Sequence, residues 1–339
     1  MDIKTQPETL APDTLAPDTL ADADWPTFGW IEDVRPALAR AIEAGRPAVL
    51  ATLFKVQGSA PRGPGAQMLF DGAQATGYFS GDCIEGDVAA HARDVLASGE
   101  PRVLHYGKGS PWIDIRLRCG GALHLLVERI DAASEAARSL LDHARERRTC
   151  LWSSDGVRQD VVSGEGPLLG LEEGPLRIAR RYDPPRRLIV TGGDPGALAV
   201  AKLGHEAQFE TILVRPSGPE TPPPFPVSRY LRLEPAEAVA QLGIDALTAY
   251  VGATHEDHHD LGGILAALLG RAGYVGMIGA KSRAGERIGA LKAAGASEDD
   301  LARLHLSPGI TGLGKAPWEV ATGILAEVMQ ALNPARERA

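Results

Sequence analysis

Only three cysteines occur in the 339 residues, Cys83, Cys119 and Cys150, and no two of them form a Cys-x-x-Cys pair. That is too few for a disulfide framework in a chain of this length, and it excludes zinc centres built from cysteine pairs; reduced thiols are expected. No apolar run reaches the ~18–20 residues that span a bilayer, and the opening residues lack the basic-then-apolar pattern of a secretory signal, so a cytoplasmic protein with no membrane partner is expected. Positive charge is also in short supply. Lys and Arg number 35 against 44 Asp and Glu, a formal net charge of −9, which argues against a nucleic-acid partner. Residues 1–24 hold six acids and one Lys, so −5 of that charge belongs to this segment and only −4 to the rest. The remainder leaves room for an anionic ligand where Arg62, Arg116 and Arg118 flank Cys83 and Cys119.

A chain of this length, 44% hydrophobic, can fill two cores rather than one. Residues 1–24 repeat Thr-Leu-Ala-Pro-Asp at Thr9–Asp13 and Thr14–Asp18, and this Pro-rich acidic stretch is expected to be a disordered tail. Residues 25–150 read as an N-terminal mixed α+β domain. Strand-like runs at Ala48–Val56, Ala66–Phe70, Arg102–His105, Ile113–Leu117 and Ala122–Glu128 alternate with helices over Val34–Ala44, Glu85–Ser98 and Asp131–Arg147. Residues 151–185 read as a linker with short β segments, ending in the stiff turn Tyr182-Asp-Pro-Pro185. From 186 to 333 strands and helices alternate, beginning with strand Leu188–Thr191 and helix Ala197–His205. The Leu-Ile-Val and Thr-Ile-Leu-Val runs lack the alternation of half-buried strands. An α/β, Rossmann-like doubly wound parallel sheet follows for this C-terminal domain.

Four segments have chemistry. Thr191-Gly-Gly-Asp-Pro-Gly196 leaves a strand and opens a helix, the place where glycines admit a pyrophosphate. Gly193 and Gly196 fit the last two glycines of a dinucleotide fingerprint, but Thr191 stands where the first should be, and Arg215 stands near where a ribose-binding acid is expected. A nucleotide site and a turn with an altered role both remain open. Gly58-Ser-Ala-Pro-Arg-Gly-Pro-Gly65 offers main-chain N–H groups and the planar guanidinium of Arg62 to an oxyanion. Cys83 follows in Ser80-Gly-Asp-Cys-Ile-Glu-Gly86, just before a helix start that favours a thiolate; a soft metal ligand, a nucleophile and a small buried hydrophobe all suit it. Cys119, in Arg116-Leu-Arg-Cys-Gly-Gly121, lies between basic residues and a Gly-Gly turn, whereas Cys150 looks structural. Thr254-His-Glu-Asp-His-His-Asp260 places three His and three acids after a strand end. Helix capping by Thr254 with acids in the first turn explains much of the segment, so capping and a ligand-facing role are favoured over metal.

Taken together, Gly58-Ser-x-Pro-Arg-x-x-Gly-Ala66, Ser80-Gly-x-Cys-x-Glu-Gly86 and Cys119-Gly-Gly121 resemble the XdhC and CoxI family. So do Tyr274-Val-Gly-x-Ile-Gly279, His305-x-x-x-Gly309 and Pro317-x-Glu-x-Ala-x-x-Ile-Leu-Ala-Glu327, and the likeness covers roughly residues 28–330 in order. The resemblance implies a chaperone rather than an enzyme. Such a protein binds molybdenum cofactor in its molybdopterin form, supports exchange of an oxo for a sulfido ligand with a cysteine desulfurase partner, and inserts the cofactor into an apo molybdoenzyme of the xanthine dehydrogenase family. A homodimer is expected. Carried over by position, Cys83 is the cofactor-associated cysteine and metal ligand, with Arg62, Gly58, Ser59, Gly65 and Glu85 beside it. Cys119 and Gly120 join from the third motif, and Gly193, Gly196 and His255 from the C-terminal half. Asp82 replaces a usual glycine, and Gly-Gly-Asp-Pro replaces a usual Gly-Ala-Gly-His, marking a divergent member. The rival readings are an NAD(P)-dependent oxidoreductase using the Rossmann-like half, and a redox or metal–sulfur scaffold using Cys83 and Cys119.

Overall fold

The computed structural model describes residues 30–72, 74–81, 83–110, 117 and 120–333. The expected tail at 1–24, the strand at Ile113–Leu117 except Leu117, and Asp82, Arg116, Arg118 and Cys119 lie outside the described residues. The chain divides into two compact units between Pro184 and Pro185.

The first unit is built on an antiparallel five-stranded sheet. Its strands are β1 (Ala48–Gln57), β2 (Gln67–Phe70), β3 (Ala75–Gly77), β4 (Arg102–Gly107) and β5 (Ala122–Ile130), in the order β3-β2-β1-β5-β4. Strand β1 has little polar alternation because both of its faces are covered. Val49, Ala51 and Leu53 turn toward helix α2 (Glu85–Ser98), packing with Val88, Ala92 and Val95. Ala48 and Leu50 turn the other way, toward Leu38 and Ala41 of α1 (Arg35–Glu43) and Leu140 of α3 (Glu135–Arg145). Helix α2 stops at Gly99, whose φ of 78° is the left-handed conformation glycine adopts without penalty.

Residues 151–185, expected to be a linker, are instead part of this unit. Strands β6 (Cys150–Ser154), β7 (Gln159–Ser163), β8 (Leu169–Glu173) and β9 (Leu176–Tyr182) form an antiparallel sheet ordered β7-β6-β9-β8. The Gly and Pro residues that suggested a linker make its turns, while Cys150, Trp152 and Tyr182 lie in the same core as α1 and α3. Cys150 thus sits where a structural residue would, and burial pushes its thiol pKa up against the pull of Arg35 and Arg180.

The second unit has six parallel strands, β10 (Arg187–Gly192), β11 (Glu210–Val214), β12 (Arg229–Leu231), β13 (Thr248–Ala253), β14 (Tyr274–Met277) and β15 (Leu304–Leu306). Their order, β12-β11-β10-β13-β14-β15, is the 3-2-1-4-5-6 order of a Rossmann sheet. Helices α4 (Pro195–Glu206) and α9 (Pro317–Ala331) cover one face; α5 (Pro235–Leu242) and α6 (Asp257–Leu269) cover the other, with α7 (Ala284–Ala293) beyond them. Both faces are therefore buried, which explains the unbroken apolar runs. The β11–β12 connection is a Pro-rich loop rather than a helix, and the short helix α8 (Glu298–Ala302) leads into β15.

Candidate functional site

In the first unit the site centres on the turn from Phe79 to Glu85. Glu85 opens α2 with its side chain fully buried, and its carboxylate collects donors from the preceding turn. The N–H groups of Phe79, Ser80 and Gly81 donate to Oε1 at 2.9, 2.6 and 3.2 Å. Ser80 Oγ and the Ile84 N–H donate to Oε2 at 2.6 and 3.1 Å. Burial works against ionisation here, but the hydrogen bonds from Ser80, Phe79 and the helix start outweigh it and hold the carboxyl below its usual range. Ser80 Oγ also accepts from the N–H of Cys83 at 2.9 Å. The N–H groups of Phe79, Ser80, Gly81, Cys83 and Ile84 are thus committed to Glu85 and Ser80, so among the described residues this turn presents a half-buried thiol rather than a cradle of free amides. The Cys83 side chain packs against the α2 side of the core.

The Gly58 and Gly120 motifs meet backbone to backbone. Gly58 follows β1 and Gly121 precedes β5, whose ends pair at Gln57 and Ala122. A Cβ on Gly121 would stand 2.1 Å from the carbonyl oxygen of Ser59, so no side chain fits there. Gly58 has φ 75°, and its Cβ position is 3.4 Å from Gly121 Cα. Gly65 lies beneath Leu168, and its carbonyl accepts from Arg180 Nε at 2.9 Å. Arg62 reaches the turn from the side. Its guanidinium lies 4.9 Å from the Tyr78 ring centroid, with Nη1 3.4 Å from the Tyr78 hydroxyl, and it pairs with Glu32. An anion recruited by Arg62 would have to compete with the exposed Glu32 carboxylate.

In the second unit the strand order reverses between β10 and β13, and the crevice at their carboxyl ends is where such folds bind ligands. Gly192, with φ 123°, lets β10 turn against the backbone of Ala253. The next three residues depart from a pyrophosphate cradle. The Arg215 guanidinium covers Gly193, so that a Cβ on that glycine would meet it at 2.3 Å. Asp194 is the N-cap of α4, its Oδ1 accepting from Ala197 N at 2.7 Å, and its Oδ2 lies 3.0 Å from His255 Nε2. Gly196 is adjacent, with its Cβ position 3.6 Å from that carboxylate. One of the N–H groups that would attract a phosphate, that of Ala197, is therefore served by a carboxylate of the chain itself, whose negative charge also sits at the helix start.

The His-rich segment folds around Asp260. This fully buried side chain accepts from the N–H groups of Thr254 and His255 at 3.0 and 3.2 Å, which pins the loop and leaves His255 at φ 63°. Burial raises its pKa against those hydrogen bonds. Thr254 does not cap the helix as expected; the N-cap is Glu256, without a side-chain cap, and the Thr254 hydroxyl is engaged with the Glu256 backbone instead.

Sequence reasoning did not single out one further cluster. Tyr274, His305 and Glu327 come from three separated motifs. The Tyr274 hydroxyl donates to Glu327 Oε2 at 2.7 Å, and the His305 ring stacks on Tyr274 at 4.5 Å. The signal lay in the motifs, but only the β14–β15 pairing and the return of α9 bring them together. Their contacts pin α9 to the sheet.

Comparison with known proteins follows the same division. Residues 41–107 match the XdhC and CoxI family, and residues 188–328 match the XdhC Rossmann domain. The chain is 29% identical over 308 residues to the molybdenum cofactor insertion chaperone PaoD of Escherichia coli (strain K12), covering 88% of each. It is 25% identical to a probable xanthine dehydrogenase subunit of Bacillus subtilis (strain 168), over 85% of this chain and 94% of that one. A crystal structure described as a xanthine dehydrogenase from Bacillus halodurans shares the fold, with a TM-score of 0.68 at 23% identity over 90% of this chain and 96% of that one.

Proposed function

The chain belongs to the XdhC and CoxI family, and from that premise we propose that it is a chaperone that binds molybdenum cofactor through Cys83 and delivers it to a molybdoenzyme of the xanthine dehydrogenase kind. The observation that carries this reading is the buried Glu85 carboxylate, which fixes the turn presenting Cys83 at the start of α2. A thiol is a soft ligand suited to a dithiolene-bound metal, and holding it in place lowers the cost of ordering it when cargo arrives. Arg62 stands at the edge of the same turn, where a cargo phosphate would exchange with Glu32.

The cargo is the molybdopterin form, the sulfido ligand comes from a cysteine desulfurase partner, and the working unit is a cytoplasmic homodimer that performs no catalysis of its own. The rival dinucleotide-dependent oxidoreductase fits less well. Asp194 fills the helix end where a pyrophosphate would bind, and Arg215 covers Gly193. The Rossmann-like unit serves as scaffold rather than as a nicotinamide site.

The test is to incubate wild type and Cys83→Ala with released molybdenum cofactor and to measure protein-bound molybdenum and pterin after gel filtration. Wild type retains both and Cys83→Ala loses at least tenfold. Equal loading of the two proteins, or none in either, overturns the assignment.

A further inference from the structure

Of the six ionisable side chains in His255–Asp260, three are committed to protein partners. His255 faces Asp194, Asp257 pairs with Arg283 and Arg287, and Asp260 accepts the two loop N–H groups. The other three, Glu256, His258 and His259, turn toward one another, with one ligand atom of each within 4.8 Å of the others, His259 using its second ring nitrogen for Glu234. Neighbouring residues on a helix ordinarily point about 100° apart. Here the two imidazoles are instead drawn together, with ring centroids 3.9 Å apart. Glu256 Oε2 lies 3.8 Å from Nε2 of His258 and 3.8 Å from Nε2 of His259. A tetrahedral zinc ion with bonds of ~2.1 Å holds its ligand atoms ~3.4 Å apart, so the two Glu256–His edges need contract by roughly 0.4 Å, and the exposed His258 ring is the ligand that moves to close the third edge.

A second observation is independent of that convergence. His259 Nδ1 lies 2.6 Å from Glu234 Oε2, a residue at the N-cap of α5, and the His259 side chain is largely buried while Glu234 is exposed. A carboxylate accepting the Nδ1–H of an imidazole fixes the tautomer in which Nε2 carries the lone pair and raises its basicity, which is the outer support that metal-bound histidines usually have. Glu256 is at the N-cap of α6 without using its carboxylate as a cap, so that side chain too is available.

From this geometry we propose that Glu256, His258 and His259 form a binding site for a divalent zinc-class ion, with Glu234 as the positioning residue behind His259. The site takes one carboxylate and two imidazole ligands and leaves a fourth position for water or a donor from another molecule. It sits at the N-terminal ends of α5 and α6, on the carboxyl edge of the parallel sheet, and belongs to the second unit, whereas Cys83 belongs to the first. The segment spells His-Glu-x-x-His over His255–His259, but the first histidine of that motif faces Asp194. The site instead uses the adjacent His258 and His259 and a glutamate two residues before them, together with a carboxylate from 25 residues upstream of His259.

The test uses the untagged full chain in a Cys83→Ala background, without molybdenum cofactor, so that its outcome is independent of the cofactor-binding reading. Co2+ is titrated by visible d–d absorption and Zn2+ by competition and calorimetry. One ion binds per chain, giving the intense bands of a tetrahedral site. His258→Ala and His259→Ala each weaken binding at least tenfold, and Glu234→Gln weakens it about 10–100-fold while leaving the stoichiometry at one. His205→Ala, on α4, binds like the parent. Circular dichroism confirms folding, and exposed His258 supplies a variant whose loss cannot reflect core disruption. Absence of Co2+ and Zn2+ binding, or equal affinity in the parent and the His258 and His259 variants, overturns the site.

Discussion

Removing the Glu85 carboxylate should both destabilise the first unit and release Cys83. In Glu85→Ala the N–H groups of Phe79 and Ile84, which donate to the carboxylate from buried positions, lose their acceptor. Each orphaned buried donor costs about 1–3 kcal/mol, giving roughly 4 kcal/mol for the pair; the remaining donors lie nearer solvent and can recover water. For a unit of this size ~4 kcal/mol lowers Tm by about 8–16 °C. Glu85→Gln keeps the oxygen that serves Phe79, Ser80 and Gly81, but turns an NH2 group toward the Ile84 N–H and the Ser80 hydroxyl, so about half the loss is expected. The pH dependence has a definite sign. The folded carboxyl lies below its unfolded value, so its stabilisation is fully present above the unfolded range near ~4.3 and fades as pH falls through the folded value. Below about pH 5 wild type should therefore lose stability more steeply than Glu85→Gln. Scanning calorimetry across pH, with the rate of Cys83 alkylation, reads all of this. A Tm for Glu85→Ala within 2 °C of wild type, with unchanged alkylation, would falsify the idea that Glu85 holds the thiol turn.

Buried Glu128 behaves oppositely. Burial raises its pKa despite hydrogen bonds from Ser154, Gln159 and Trp152, so its contribution is most favourable in acid and is lost as pH rises through the folded value. Glu128→Gln should leave Tm at pH 7.5 unchanged or higher, and a loss above about 2 kcal/mol would refute this. Gly121→Ala drives a methyl group into the Ser59 carbonyl and should cost about 1–3 kcal/mol in urea unfolding, unlike Gly63→Ala, where a Cβ meets open space. Tyr274→Phe removes the hydrogen bond to Glu327 and should cost about 1 kcal/mol, seen as a lower Tm of the second unit; an unchanged Tm would mean that this contact does not hold α9. NADH fluorescence titration should show no saturable binding to wild type, because the α4 end is already served by Asp194; tight binding would restore the oxidoreductase reading.

Much of this architecture is legible in the sequence, for physical reasons. The helix Glu85–Ser98 has the bounds expected from the sequence, and the doubly covered strands announce themselves through runs without alternation. The sheet at Cys150–Tyr182 was not legible, because its short strands are separated by Gly and Pro and take their meaning from partners more than 100 residues away, such as Gln67, which accepts the Tyr182 hydroxyl. Residue types at the site were visible, but their commitments were not. Glu85 and Asp194 look in sequence like groups open to a ligand, yet both carboxylates serve N–H groups of their own helix starts. Whether an acid faces a ligand or the chain is a matter of tertiary geometry, and so is the convergence of Glu256, His258 and His259.

The central claim is that the chain carries molybdenum cofactor on the Cys83 turn and hands it on. Its most direct measurement is transfer: cofactor-loaded wild type and identically treated Cys83→Ala are gel-filtered and mixed with an apo molybdoenzyme of the xanthine dehydrogenase kind, and the molybdenum, pterin and activity gained by that enzyme are followed. Wild type should deliver all three while Cys83→Ala delivers at least tenfold less. Equal delivery by the two proteins, or none from a wild type that has bound the cofactor, would contradict the account.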